Sequence, residues 1–157
     1  MQHVFWLVPG LVAGRSGPCQ DPWQLAQLKR GGVGAVLSVN DGALCHPDDF
    51  ESAGIRYRCI PLSANSPPQD GDLQHCLTAL PMAYDYARDN GTHGLATLVH
   101  CHAGKDRTGL FMAYYLVRSL GVAPLDAIAR VKAVRSIAFT APGWDEFAPE
   151  VLAATQR

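Results

Sequence analysis

Apolar and polar positions change rhythm several times along this chain, and the changes predict alternating strands and helices. Val4 to Val8 reads as a strand, Pro9-Gly10 as a turn, and Leu11 to Ala13 as a second short strand. Asp21 before Pro22 has the form of an N-cap followed by a proline at the first helical position. Trp23, Leu25 and Leu28 then supply the apolar stripe of a short helix ending at Gly31-Gly32. Ala35 to Val39 is apolar enough for a buried strand, whereas Asn40 to Ser52 is rich in Asp, Gly and Pro and predicts irregular structure. Ile55 to Ile60 has one polar face, and Leu73, Leu77, Leu80, Tyr84 and Ala87 repeat at helical spacing. Leu95 to Val99 is an unbroken run with the length of a buried strand. After Gly109, LFMAYYLVRSL is apolar nearly all round and predicts a helix buried on most sides and ending near Gly121. Pro124 opens a further helix carrying Leu125, Ile128 and Val131, and Trp144, Phe147 and Val151 predict a last helical segment on the core, with Pro149 limiting its regularity.

This alternation predicts one α/β domain over residues 1–157, built on a central, mostly parallel twisted sheet of about five strands flanked by helices. A net charge of −1 gives no global reason to expect nucleic acid or a membrane surface as partner. The five cysteines, 19, 45, 59, 76 and 101, are odd in number and form no C-x-x-C, which favours a reduced, cytoplasmic setting over a disulfide framework. The run VFWLVPGLVAG is broken by Pro9-Gly10 and follows no basic residue, so it reads as neither a signal peptide nor a membrane span.

The chemistry concentrates between the predicted strand at Leu95–Val99 and the helix after Gly109, in the ten residues HCHAGKDRTG. A loop running into a helix N-terminus turns successive N–H groups inward and, with the helix dipole, makes an anion site. Arg107 at its end can give a tetrahedral oxyanion two parallel hydrogen bonds, and the same field favours a thiolate at Cys101. Ala103 and Gly104 are small where the backbone must approach a ligand, and His102 and Lys105 add positive charge. GKDRT is not a Walker A loop, because Val99 stands where its first glycine belongs. Nor does the loop read as a zinc site, because His100, Cys101 and His102 are consecutive and no distant cysteine pair completes a ligand set.

HCHAGKDRTG resembles the signature H-C-x5-R-[ST]-G of cysteine-dependent protein tyrosine and dual-specificity phosphatases. It is most similar to the subset with Lys-Asp-Arg in the loop, found in some bacterial tyrosine and phosphoinositide phosphatases. W-L-V-P-G-x-V-A-G-R near the N-terminus is similar to the entry of small dual-specificity phosphatases. The resemblance implies a phosphatase fold and a phosphocysteine intermediate on Cys101. It also implies oxyanion binding by Arg107 and the amides of residues 102 to 107, and a Thr108 hydroxyl that stabilises the departing thiolate, a role compatible with an N-cap. No metal or organic cofactor is implied, and inorganic phosphate, sulfate or vanadate should bind the loop.

The general acid is the irregular point. Similar phosphatases carry P-x-x-D-x-x-P-P where this chain has PLSANSPP, which puts Ala64 at the position of the aspartate. Two residues compete for the role. Asp70 lies 31 residues before Cys101, a separation the family commonly shows, but it and Asp72 precede a helix, where aspartate often caps; capping is the favoured reading for Asp72. Asp106 lies beside Arg107, where Lys-Asp-Arg phosphatases without the upstream aspartate are thought to keep their acid, and bound phosphate favours its protonated form. Asp106 is the preferred reading, against a plain ion pair with Lys105.

The expected substrates are phosphotyrosine or dual-specificity protein substrates, then phosphoinositides, since loop charge of this kind resembles that of the lipid phosphatase called phosphatase and tensin homologue. An RNA 5′-triphosphatase is the second enzyme class, opposed by scattered Lys and Arg, and a phosphate-binding pseudophosphatase is the non-enzymatic class, motivated by Ala64. A monomer is expected. Arg15, Arg56, Arg58, Arg130, Lys132 and Arg135 read mainly as solvated charges, although the family often places an arginine near the site after the helix that holds the last three. The resemblance to relatives in which a cysteine of the equivalent region forms a disulfide with the nucleophile implies a Cys45–Cys101 pair, which is the weaker reading; a buried, inert Cys45 is the favoured one.

Overall fold

The computed structural model describes all 157 residues. Its five strands are β1 (Phe5–Val8), β2 (Val12–Arg15), β3 (Val33–Ser38), β4 (Arg56–Cys59) and β5 (Ala96–His100), in the sheet order β1-β2-β5-β3-β4. Only β1 runs antiparallel to its neighbour; β2, β5, β3 and β4 are parallel. The apolar run predicted at Leu95–Val99 is thus the central strand, shielded on both faces and both edges, which is why it shows no polar alternation. β4, with alternating Arg and apolar positions, is an edge strand.

Helices α1 (Leu25–Arg30) and α2 (Pro47–Ala53) cover one face over a small core containing Leu28, Val36, Phe50 and Leu98. The other face carries α3 (Asp72–Thr92), α4 (Asp106–Leu120), α5 (Pro124–Val134) and α6 (Trp144–Ala154) around a larger core with Leu80, Leu110, Phe111, Met112 and Trp144. Most of α4 is buried, because it lies between the sheet and its companion helices. Its C-terminus is closed by Gly121 in the left-handed conformation (φ 66°).

Several local expectations change. Asn40–Ser52 is not wholly irregular: Pro47 opens α2, whose first turn carries Asp48 and Asp49 and whose Phe50 anchors it in the core. Asp21 does not cap α1, which begins after Gln24; its carboxylate instead accepts a hydrogen bond from Ser16 Oγ. Asp72 is not the N-cap of α3, a position taken by Gly71 (φ 91°). The Asp72 carboxylate accepts from the Gln69 N–H (2.7 Å) and Asn65 Nδ2 (3.0 Å), tying down the loop before the helix. α4 starts three residues earlier than Gly109, at Asp106, so the loop after β5 is only Cys101 to Lys105. Thr108 is therefore inside the first turn and is not the cap.

Candidate active site

The parallel strands set the site. Arg15, His100 and Ser38 are register partners at the C-terminal ends of β2, β5 and β3, so the three following loops emerge side by side. Ligands in open α/β sheets bind in this kind of crevice. The loop after β5 is the signature loop, and it is held by its carbonyls. The Cys101 carbonyl accepts from His100 Nδ1 (3.0 Å), the His102 carbonyl from the Gly17 N–H (2.9 Å), and the Ala103 and Gly104 carbonyls from Arg135 Nη2 (2.7 Å) and Nε (3.1 Å). With four successive carbonyls taken up by the surrounding protein, the amides of residues 102 to 107 donate to no other backbone group. They form a nest of N–H groups at the start of α4.

Gly104 is needed for a different reason from the one its small size implied. It has φ +66°, and a Cβ there would meet the Arg15 and Ser16 backbone at 2.5–2.7 Å. The loop lies flat on the end of β2, and the close approach is to protein.

Cys101 lies on the floor of this nest, 2% exposed, and Thr108 Oγ1 donates to its Sγ at 3.1 Å. Behind it, His100 is fully buried. Because a carbonyl only accepts, His100 Nδ1 carries the proton shared with Cys101 O, and Nε2 accepts from Ser38 Oγ (2.6 Å), which in turn accepts from Tyr57 Oη (2.7 Å). Burial lowers the His100 pKa, so the neutral tautomer this chain of bonds requires is the stable one. Cys45 Sγ sits 3.6 Å from His100 Nε2, on the opposite side of the ring from the Cys101 carbonyl, and burial pushes its thiol pKa up.

Arg107 Nε donates to Ser63 O and its Nη2 to Asn65 O (3.3 Å), while the guanidinium lies 5.0 Å from the ring centre of the buried Trp144. Trp144 Nε1 also donates to Asn65 O (3.1 Å). Ala64 lies between these two carbonyls, so the segment that brings an aspartate to the site in similar proteins is present here with a methyl group in its place. Two of the five guanidinium N–H groups serve this loop, which leaves three for an anion.

Asp106 is the first residue of α4, 3% exposed; its Oδ2 is 3.3 Å from Lys105 Nζ, and its Oδ1 accepts from the Ala141 N–H (3.3 Å). Lys105 also donates to Thr140 Oγ1 (2.9 Å). Asp70 is exposed and lines a cleft of about 530 Å³ with Pro67, Pro68, Glu146 and Glu150, to which none of residues 101 to 108 contributes. Its acidic lining suits cations better than phosphates.

The other arginines divide. Arg135, expected to be mainly solvated, braces the signature loop; Arg15, likewise expected outside, is 2% exposed, donates to the carbonyls of Ser16 and Asp21 (both 2.8 Å) and so folds the loop after β2. Neither role follows from hydropathy, since an arginine serving carbonyls has the same sequence signal as one serving water. Arg56 pairs with the exposed Asp89 (3.2 Å), Arg58 lies over Tyr86, and Arg130 and Lys132 are exposed. His102 is exposed at the rim, its Nδ1 3.1 Å from Asp41 Oδ2.

A sheet with one antiparallel edge strand, a cysteine at the end of its central strand and a nest of amides closed by an arginine define a cysteine-phosphatase architecture. A profile for the DSP-PTPase phosphatase domain of the PTP-SAK Swiss Army Knife proteins matches residues 1–139. The chain belongs to this dual-specificity and tyrosine phosphatase family. It is 30% identical over 132 residues to human dual specificity protein phosphatase 22, covering 84% of this chain and 64% of that protein. Among solved structures, Tk-PTP in the active form superposes with a TM-score of 0.78 at 21% identity, covering 99% of this chain and 97% of that one. PTPMT1 in complex with PI(5)P gives 0.76 at 19% identity, covering 99% and 97%. No helix is long and apolar enough to cross a membrane.

Proposed function

We propose that this domain hydrolyses phosphomonoesters through a phosphocysteine intermediate on Cys101. The observation that carries the reading is that four successive carbonyls of the loop that begins at Cys101 are bonded to surrounding protein while its amides donate to no backbone group, with Thr108 Oγ1 donating to the Cys101 sulfur. The thiolate attacks phosphorus, and the bond from phosphorus to the ester oxygen breaks. Arg107 and the amides of residues 102 to 107 hold the equatorial oxygens as charge develops there. Asp106 gives its proton to the leaving oxygen. Lys105, whose ammonium lies 3.3 Å from the Asp106 carboxylate, adds positive charge beside the bound phosphate. Water then attacks phosphorus, Asp106 takes its proton, and the S–P bond breaks to release orthophosphate. Thr108 stabilises the regenerated thiolate through the hydrogen bond it already makes. His102, Ala103, Gly104 and Lys105 line the substrate side of the loop.

Phosphotyrosine and dual-specificity protein substrates rank first, in line with the family. Phosphoinositides are the second reading, supported by the charge of His102 and Lys105 and by the fold shared with PTPMT1, solved with PI(5)P. The test is phosphate release from a phosphotyrosine peptide, a phosphothreonine peptide, several phosphoinositides and a triphosphate-ended RNA, each with Cys101→Ser as control. Cysteine-dependent turnover of a phosphopeptide or lipid supports the proposal and selects the substrate. Turnover of RNA alone, or tight binding without turnover, contradicts it.

A further inference from the structure

Three loops leave the sheet beside one another, and each delivers a metal-ligating side chain to one point. Cys19 lies in the turn after β2, Asp41 in the loop after β3, and His102 in the signature loop after β5. Their ligand atoms, one from each residue, all lie within 4.8 Å of one another. His102 Nδ1 and Asp41 Oδ2 are already at 3.1 Å, close to the spacing of two ligands on one small divalent cation, and small side-chain rotations bring in the thiol. The backbone that carries them is anchored independently of any ion. The Gly17 N–H donates to the carbonyl of His102 itself, the turn at Cys19 is closed by Gln20 and Asp21 N–H bonds to Gly17 O, and the Val39 N–H donates to His100 O. The three side chains stay accessible, with 54% of the His102 and 26% of the Asp41 side-chain surface exposed and Cys19 exposed.

We infer that Cys19, Asp41 and His102 form a site for a thiophilic divalent cation, Zn2+ in preference to Mg2+ or Ca2+, at the rim of the phosphate-binding loop. A thiolate, an imidazole and one carboxylate are the donors that zinc takes and that hard cations do not. Three protein ligands leave a fourth tetrahedral position for water or an anion. Binding replaces the thiol proton of Cys19, which passes to solvent. Metal binding itself does not depend on the phosphatase reading. Its consequence does: a cation fixed on the residue that follows the nucleophile restrains the loop and inhibits turnover.

Co2+ reports the site, because a cobalt–thiolate bond has a charge-transfer absorption that aquo-cobalt lacks. The full chain carrying Cys101→Ser is titrated with Co2+ and then with competing Zn2+. One equivalent with a thiolate band is expected, lost when Cys19→Ser is added, and bound at least tenfold more weakly with Asp41→Asn. Asparagine tolerates the left-handed backbone at this position (φ 62°), so the last variant leaves the loop unchanged. The absence of a thiolate band in the Cys101→Ser protein, a band that survives Cys19→Ser, or unaltered affinity in Asp41→Asn overturns the site. Separately, Zn2+ should inhibit turnover at tenfold or more lower concentration in the natural protein than in Cys19→Ser. Equal sensitivity overturns the regulatory part and assigns the inhibition to Cys101.

Discussion

Arg107 holds the main chain on both sides of Ala64, through the carbonyls of Ser63 and Asn65. The segment where similar proteins carry the aspartate is therefore docked on Arg107, the residue proposed to bind the anion, and presents Ala64 there. If Asp106 has taken over, Asp106→Asn should lower kcat by about 10²-fold or more for substrates with poor leaving groups and much less for aryl phosphates with good ones. Adding Ala64→Asp to Asp106→Asn should restore at least about tenfold of that loss. Steady-state kinetics over a leaving-group series checks both. A larger loss in Asp70→Asn than in Asp106→Asn assigns the acid to the exposed loop instead.

In the proposed mechanism Thr108 Oγ1, which donates to Cys101 Sγ, stabilises the thiolate as it leaves phosphorus. A hydrogen bond to a charged group contributes about 1.5–3 kcal/mol, roughly 10- to 100-fold in rate. Thr108→Val should therefore slow breakdown of the phosphocysteine more than its formation. Rapid-quench kinetics should show a burst of leaving group followed by a slow phase; equal slowing of both steps would rule out this role.

Arg135 binds two carbonyls of the loop and no reacting group. Arg135→Met should weaken binding of vanadate or phosphate about tenfold or more by letting the loop amides turn, while the half-buried alkyl stem is kept. Calorimetric titration of vanadate checks this, and unchanged affinity would make Arg135 a surface charge after all.

His100 links pH to stability. In the folded state burial lowers its pKa, while in the unfolded chain it titrates near 6.5. As pH falls past 6.5 the unfolded state binds the proton first, so this contribution to stability is complete above 6.5 and is lost from there down to the folded pKa. Urea midpoints should fall more steeply from pH 7 to pH 5 in the natural protein than in His100→Gln. Parallel profiles would show that His100 does not carry the effect.

The signature loop and the central strand were legible because both are local: ten consecutive residues specify the loop, and full burial removes polar alternation from Leu95–Val99. α2 was missed because Pro47, which opens it, sits in a segment whose Asp, Gly and Pro content mimics a loop. Asp21 and Asp72 have the right neighbours for caps, yet each carboxylate was drawn to a partner in its own loop. The braces from Arg15 and Arg135, and the meeting of residues 19, 41 and 102, depend on strand order. No spacing within the chain reveals that β2, β5 and β3 are adjacent.

The central claim is covalent catalysis by Cys101, and acid-quench trapping during turnover of a phosphotyrosine peptide tests it most directly. The proposal predicts a phosphorylated enzyme whose label maps to the peptide containing Cys101, with both label and turnover abolished by Cys101→Ser. Turnover that persists in Cys101→Ser, or a label on any other residue, would contradict it.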